Sequence, residues 1–270
     1  SWHPHYKSGI FNQSLANHRV YYTFHGTSAH ASQSPHLGRS ALDACELMNI
    51  GVNYLREHMI DEARIHYAYT DAGGTAPNII PARAQLFYAI RAPKSEDARL
   101  LRQRVDDVAR GAALMTGTSV DIETACIYDS LLPNPVLDQL VLKYLSLYTP
   151  SHSFDEEAYA KNFLSYGNLP DTDKAFNDIP DLSPTRKTGI STDVGNVSQI
   201  LPCTAFMVCC YANGSPLHHW MVTAQGKSSA AKKGMFAAGK ILSSCALELL
   251  SDPRLLSQVQ EAFWKAKNIS

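Results

Sequence analysis

The chain has 270 residues, of which 45% are hydrophobic, and this predicts one large or two ordinary globular domains with a buried core. Its 24 Lys and Arg residues nearly balance its 25 Asp and Glu residues, and the cations form no run or stripe. Nucleic acid is therefore not an expected partner. The longest apolar run, residues 204–212, is too short to span a bilayer, so we expect no membrane partner.

Six cysteines are scattered along the chain without the spacing of a disulfide framework. Cys45 and Cys245 fall on apolar faces of predicted helices, and Cys209 falls in a predicted buried strand. This pattern is typical of reduced thiols in a protein core and indicates a cytoplasmic protein. The first residues lack the basic and then apolar pattern of a signal peptide.

Residues 19–124 show the pattern of a complete β-α-β-β-α-β unit. Apolar side chains alternate along residues 19–26, 65–69, 86–90 and 119–123, which predicts four half-buried strands. Two apolar stripes in steps of four and three predict two helices that each turn one face to the sheet. The stripes consist of Ala41, Cys45, Met48, Val52 and Leu55, and of Leu101, Val105, Val108, Ala112 and Met115. This order is the ferredoxin-like arrangement, which leaves an edge strand or the outer sheet face for a partner.

Residues 125–270 resemble part of a second domain. We predict a helix over 137–147 and a long polar connection over 150–188 that contains a short helix near 156–164. Residues 204–212 lack polar alternation, which predicts a strand buried on both faces, as in a parallel sheet. The last predicted helix, 227–250, carries the stripe Ala231, Met235, Ala238, Leu242, Cys245 and Leu249. One buried strand and one covering helix are too few for an α/β layer, so we expect the other strands outside this sequence.

The histidines best placed for chemistry are His3, His30, His218 and His219. Neutral imidazole is the commonest protein ligand for zinc-like metals. His218 and His219 follow the predicted buried strand, and loops at the C-terminal ends of parallel strands are where α/β proteins bind ligands. His30 lies between alanines, which leave its ring room to project. Ordinary roles fit as well: an exposed residue near the chain start, a surface loop residue, and a turn residue hydrogen-bonded to backbone.

Two further motifs lie in predicted loops. The amide of Asn78, in Pro77-Asn78-Ile79-Ile80-Pro81, could hold a carboxylate, although Asn is also a common turn residue. Residues 191–195, Ser-Thr-Asp-Val-Gly, could form a turn with a helix N-cap at Thr192 or Asp193. His-x-Asp and His-Glu-x-x-His motifs do not occur, so a metal site would need ligands from outside this sequence.

These segments together resemble the carboxypeptidase-G/aminoacylase metallopeptidases. The resemblance covers nearly all of the 270 residues, and residues 34–44 and 191–195 are its most specific parts. The remaining matches are Trp2-His3-Pro4, Ala29-His30-Ala31, residues 77–81 and Pro216-Leu217-His218.

The resemblance implies an α/β catalytic domain, residues 1–18 and 125–270, that holds two divalent metal ions, zinc or manganese. A ferredoxin-like lid, residues 19–124, would be inserted into it and would form a homodimer. His3 and His218 would be metal ligands. His30 would be the catalytic residue that reaches the partner subunit's active site and polarises the scissile carbonyl, while Asn78 would bind the substrate carboxylate. The implied substrate is an N-acyl amino acid such as p-aminobenzoyl-glutamate.

Two hypotheses about function stay open at this point. In the first, the chain is the lid and the C-terminal part of the catalytic domain of a metal-dependent amidohydrolase, and we expect the remaining ligands and the general-base Glu before His3. In the second, the chain is a non-catalytic dimerisation or binding module derived from that family. The choice between His218 and His219 as the metal ligand is also open.

Overall fold

The computed structural model describes residues 1–168, 174–183 and 189–269, so parts of the polar connection predicted over 150–188 lie outside the described residues. Its strands are β1 (Trp2–His5), β2 (Gly9–Ile10), β3 (Ala16–His25), β4 (Arg64–Asp71), β5 (Arg83–Ala92), β6 (Ser119–Tyr128) and β7 (Phe206–Cys209). Its α-helices are α1 (Ala41–Leu55), α2 (Ser95–Thr116), α3 (Pro135–Tyr148), α4 (Phe154–Tyr166), α5 (Val194–Ser198), α6 (Trp220–Gln225), α7 (Ser229–Ser251) and α8 (Pro253–Ile269). Two 3₁₀ turns span Pro35–Leu37 and Arg56–His58.

The chain forms two compact units. The first unit comprises Ser1–Ser14, Leu131–Gly189 and Asn196–Ser270, and the second comprises Leu15–Ser130 and Ile190–Gly195. The chain therefore passes between the units four times. We call the second unit the lid unit, and it contains the whole of the predicted range 19–124.

The lid unit is a four-stranded antiparallel sheet with two helices, as the alternating sequence segments predict. The strands lie in the order β4-β5-β3-β6, and the elements follow one another as β3, α1, β4, β5, α2 and β6. Val20, Tyr22 and Phe24 of β3 are fully buried, whereas the residues between them are only half-buried. The alternating burial along β3 therefore shows that one face of the sheet packs on the helices and the other does not.

Of the two predicted apolar stripes, the one on α1 matches the buried residues fully and the one on α2 matches them only in part. All five residues of the α1 stripe are buried, which confirms it. In α2 the stripe is wrong at its end, because Met115 is 67% exposed. At this end of α2, Ala112 and Ala113 lie in the core and Met115 does not. The buried face of α2 instead continues through alanines: Ala98, Leu101, Val105, Ala109, Ala112 and Ala113.

The first unit contains a small mixed sheet in the order β1-β7-β2. The predicted buried strand is confirmed as β7, whose four residues are all buried. It pairs in parallel with β1 but antiparallel with β2, so a purely parallel environment was the wrong expectation. Helices α3 and α7 pack on this sheet around Phe206, Val208 and Ile241.

The predicted apolar stripe of α7 is wrong by about one residue. Met235 is 50% exposed, and the buried face runs through Ala230, Gly234, Ala237, Ala238 and Ile241. A Cβ atom on Gly234 would lie only 2.5 Å from the carbonyl oxygen of Cys209, so small residues let the helix approach β7. Among the described residues only α7 is long and apolar enough to cross a membrane, and one such helix is weak evidence because core helices of soluble proteins also qualify.

Candidate active site

His3 lies on β1 of the first unit, and its ring is exposed. Its Nδ1 atom lies 2.7 Å from the carbonyl oxygen of Pro4. A carbonyl can only accept, so Nδ1 donates and the neutral ring has an unprotonated Nε2. Metal-bound histidines commonly donate their second ring N–H to a carbonyl in this way. The Nε2 lone pair of His3 is therefore in the form that a metal ligand requires.

His218 and His219 follow β7, in the segment that leads to α6. His219 is the N-cap of α6, and its Nδ1 accepts the backbone N–H of Met221 at 3.4 Å. His218 is exposed and has φ +58°, a left-handed conformation that is uncommon for residues other than glycine. Within the described parts of the chain, we find no hydrogen bond to its ring. The Nδ1 atom of His219 is therefore engaged in capping α6, whereas the ring of His218 caps no helix.

His30 lies in the lid unit, just beyond β3, and its ring is exposed. Its Nδ1 accepts the backbone N–H of Ser32 at 3.3 Å and that of Gln33 at 3.2 Å. Amide groups can only donate here, so the neutral ring carries its proton on Nε2. The outward-facing atom of His30 is therefore a hydrogen-bond donor, the opposite of the situation at His3.

Asn78 lies beside His30 in the lid unit. The N–H of Ala31 donates to the carbonyl of Asn78 at 2.9 Å, and His30 forms a β-bridge with Ile79. The side chain of Asn78 is exposed. The fold thus brings together the two lid residues that the sequence nominated, while His3 and His218 belong to the first unit.

The described residues contain no cluster of three or more His, Cys, Asp or Glu side chains that could hold a metal ion. His3 fits a ligand through its ring tautomer, and His218 fits through its exposure and through the lack of another partner among those residues. Two imidazoles are still fewer donors than a structural or catalytic zinc ion takes. The donor set on the described residues is therefore partial.

The adjacent pair Glu156-Glu157 was passed over by the sequence reasoning, although paired carboxylates are a common catalytic signal. Both have structural partners here. Glu156 closes the capping box of α4 and accepts Lys233 Nζ at 2.6 Å. Glu157 accepts the backbone N–H groups of Ala175 and Phe176 at 2.7 and 3.1 Å. Glu157 therefore holds residues 175 and 176 to α4, whereas Glu156 links α4 to Lys233 of α7.

His5 and Tyr211 were also missed. His5 is the last residue of β1 and Tyr211 follows the end of β7 by two residues; their ring centroids lie 6.3 Å apart, and both are buried. Burial raises the pKa of Tyr211 to about 12, so its hydroxyl stays protonated at neutral pH. Only the register Trp2↔Phe206 brings the two rings together, and sequence spacing cannot supply a register between residues so far apart.

Residues 16–114 match the model of the peptidase dimerisation domain. This part of the chain belongs to that domain family. The match begins at the first residue of β3 and ends within α2, so the peptidase dimerisation domain coincides with most of the lid unit. The resemblance to the carboxypeptidase-G/aminoacylase metallopeptidases is confirmed.

The relatives of the whole chain are hydrolases by name. It is 38% identical over 288 residues to one of the subunits of p-aminobenzoyl-glutamate hydrolase from Escherichia coli (strain K12), covering 97% of this chain and 60% of that protein. It is 30% identical to the Xaa-Arg dipeptidase of Mus musculus, covering 97% of this chain and 54% of that protein. The chain thus spans little more than half the length of these relatives.

A solved structure shares the fold. The aminobenzoyl-glutamate utilization protein from Klebsiella pneumoniae aligns with a TM-score of 0.53 and 14% identity, covering 89% of this chain and 52% of that one. At this identity the likeness shows the fold alone.

Proposed function

We propose that this chain is the peptidase dimerisation domain and the C-terminal catalytic part of a metal-dependent amidohydrolase that cleaves the amide bond to an amino acid. The substrate class would be N-acyl amino acids such as p-aminobenzoyl-glutamate. The observation that supports this most strongly is the opposite protonation of His3 and His30. One ring presents a lone pair and the other presents an N–H, and amide hydrolysis at a metal centre needs both.

In this proposal His3 and His218 contribute imidazole ligands to a site for two divalent ions, zinc or manganese. Bound there, such ions would act as Lewis acids toward the amide carbonyl. His30 is not a ligand. Its Nε2–H donates to the oxygen of the scissile carbonyl as negative charge develops there, a contribution of roughly 3 kcal/mol for one well-placed donor.

Asn78 would bind the substrate carboxylate. Its amide is exposed, and its backbone is fixed to Ala31 beside His30. A substrate held by Asn78 at its carboxylate would therefore lie close to the His30 donor. Correct placement of a bound amide relative to such a donor is itself a large part of catalysis.

The same proposal includes a homodimer formed through the lid unit, whose element order and sheet order fit the ferredoxin-like fold. Among the described residues, β4 is an edge strand with no strand on its outer side, and its Tyr67 and Tyr69 are 38% and 41% exposed. On α1, Ile50 and Tyr54 are also exposed, and Asn49 is hydrogen-bonded to the hydroxyl of Tyr69. An open edge next to exposed apolar side chains favours pairing with a second copy. A cytoplasmic location fits the six free cysteines.

Zinc titration of the 270-residue chain tests the ligand assignment. We expect His3→Ala and His218→Ala each to weaken zinc binding at least roughly tenfold, as loss of a ligand should. His219→Ala is the matched control and should leave zinc affinity unchanged while shortening α6. Loss of zinc binding in His219→Ala with binding retained in His218→Ala would overturn the assignment.

A non-catalytic dimerisation module is the second candidate. It is favoured by the incomplete donor set among the described residues. The two candidates differ in turnover: the module would dimerise but would not hydrolyse p-aminobenzoyl-glutamate even when joined to the rest of a functional metal centre.

A further inference from the structure

The segment Ile190–Gly195 belongs to the lid unit although the chain on both sides of it belongs to the first unit. It contains the Ser-Thr-Asp-Val-Gly motif, to which neither the metal ligands nor the lid donors give a role. At its start, the carbonyl of Ile190 accepts the N–H of Leu15 at 2.9 Å. Leu15 is the first residue of the lid unit, so this bond lies where the chain enters it.

The end of the segment contacts the chain where it leaves the lid unit. A Cβ atom on Gly195 would lie 1.9 Å from the carbonyl oxygen of Asp129, a distance no side chain can tolerate. The backbone of Gly195 is therefore packed directly on residue 129, and Ser130 is the last residue before the chain crosses to the first unit. Glycine is required here by the close approach of two backbones.

The turn between these two contacts is braced from within. The N–H of Gly195 donates to the carbonyl of Thr192 at 3.1 Å, and the N–H of Val194 donates to Thr192 Oγ1 at 3.3 Å. These bonds hold residues 192–195 in a turn. A segment of fixed shape can hold the two chain ends at a fixed separation.

The first unit holds the same two crossings from its own side. The N–H of Leu131 donates to Ser14 Oγ at 2.9 Å, so the last residue before one crossing is bonded to the first residue after the other. The N–H of Leu132 donates to Ser198 Oγ at 2.9 Å, and Ser198 follows the segment in sequence. In each unit, contacts therefore connect the segment through which the chain enters the lid unit to the segment through which it leaves.

We propose that Ile190–Gly195 is a strap that ties together, within the lid unit, the two segments through which the chain enters and leaves that unit, and so limits their local opening. Without it, the ends of these segments would open by changes in a few backbone torsions. The strap adds contacts from a third segment of the chain and removes part of that freedom.

Hydrogen exchange of the 270-residue chain in a Gly195→Ala variant tests this proposal. The added methyl must displace the strap from Asp129. We expect amide exchange to rise at least tenfold in peptides covering residues 13–16, 129–132 and 190–195. Exchange in β5, at the centre of the lid sheet, should not change. Gly189→Ala is the matched control, because a Cβ atom there meets nothing within 4 Å.

Unchanged exchange at residues 13–16 and 129–132 in folded Gly195→Ala would overturn the strap. If β5 also loses protection, Thr192→Val decides the matter. It removes the Oγ1 acceptor of the Val194 N–H and the Oγ1 donor to Asp193, and it adds no atom at the contact between Gly195 and Asp129. Faster exchange in this variant at residues 129–132 with β5 protected supports the strap, and unchanged exchange there rejects it.

Discussion

At the scale of single residues, hydrogen bonds to the backbone set which ring nitrogen of His3 and of His30 carries the proton. His3 donates from Nδ1 to a carbonyl, and His30 accepts at Nδ1 from two amides. The family-like motifs nominated both histidines from the sequence. Their ring protonation could not be predicted, because it depends on where the carbonyl of Pro4 and the amides of Ser32 and Gln33 point.

The backbone conformation of His218 should lower the free energy of unfolding. It holds φ +58°, a conformation that glycine adopts without strain and that costs another residue about 1 kcal/mol. We therefore expect His218→Gly to keep or raise the free energy of unfolding, by up to about 1 kcal/mol, while it weakens zinc binding as His218→Ala does. Urea denaturation and zinc titration of the same sample check this. A clear loss of stability would mean that the ring of His218 has a structural role.

Glu156 should make the free energy of unfolding depend on pH in the acid range. Burial raises the pKa of this carboxyl, but hydrogen bonds from Lys233, Ser229 and the Ser153 backbone outweigh burial and lower the pKa to about 2. Because the folded pKa lies below the unfolded one, the stabilisation is present above about pH 4.5 and is lost as the pH falls toward 2. Water screens the pair with Lys233, whose side chain is 44% exposed, so the contribution is about 1–2 kcal/mol.

Urea denaturation between pH 2 and pH 7 measures this effect. Glu156→Gln should be less stable than the parent at pH 7 and should converge with it near pH 2. Asp155→Asn, at the exposed neighbouring position of α4, is the control and should follow the parent curve. Parallel curves for Glu156→Gln and the parent would refute the assignment.

At the scale of elements, periodicity predicted where helices and strands lie better than it predicted which face they bury. The α1 stripe was right because its large apolar residues face the sheet. The α7 stripe was wrong because close approach to β7 requires the small residues Gly234, Ala237 and Ala238 there. A sequence pattern that weights large side chains misses a contact made through small ones.

Two glycines of α7 provide a matched test of this packing. Gly234→Ala should destabilise the chain by about 1–3 kcal/mol, because the new methyl would overlap Cys209 and Cys210. Gly239→Ala meets nothing within 4 Å and should stabilise the helix by about 0.5–1 kcal/mol. Urea denaturation of both variants should give shifts of opposite sign, and shifts of the same sign would contradict the packing described.

The proposed dimer depends on α1 and β4. Tyr54→Glu would place a charge among the exposed apolar side chains of this surface, so we expect it to convert dimer to monomer at micromolar concentration. Leu114→Glu on α2 is the control: Leu114 is 84% exposed and lies on neither α1 nor β4, so its variant should remain dimeric. Sedimentation equilibrium measures both. If Leu114→Glu dissociates the dimer and Tyr54→Glu does not, the interface lies on α2 and the proposal is wrong.

At the scale of the whole molecule, the lid sheet and its two helices could be predicted from the sequence because each strand and helix shows its own apolar periodicity and the order of the elements matches one common arrangement. The first unit was harder. β1 and β7 are parallel neighbours separated by the entire lid unit, and their register is set by packing between distant segments. The pairing of His30 with Asn78 was within reach of the sequence motifs, whereas the contacts of Ile190–Gly195 were not.

The most direct test of the central claim is turnover by a chimera in which this chain replaces the matching 60% of the Escherichia coli relative. We predict metal-dependent hydrolysis of p-aminobenzoyl-glutamate, with His30→Ala lowering kcat by roughly 100- to 1,000-fold at unchanged metal content. A folded, metal-loaded chimera without turnover, or one whose kcat does not respond to His30→Ala, would contradict the account.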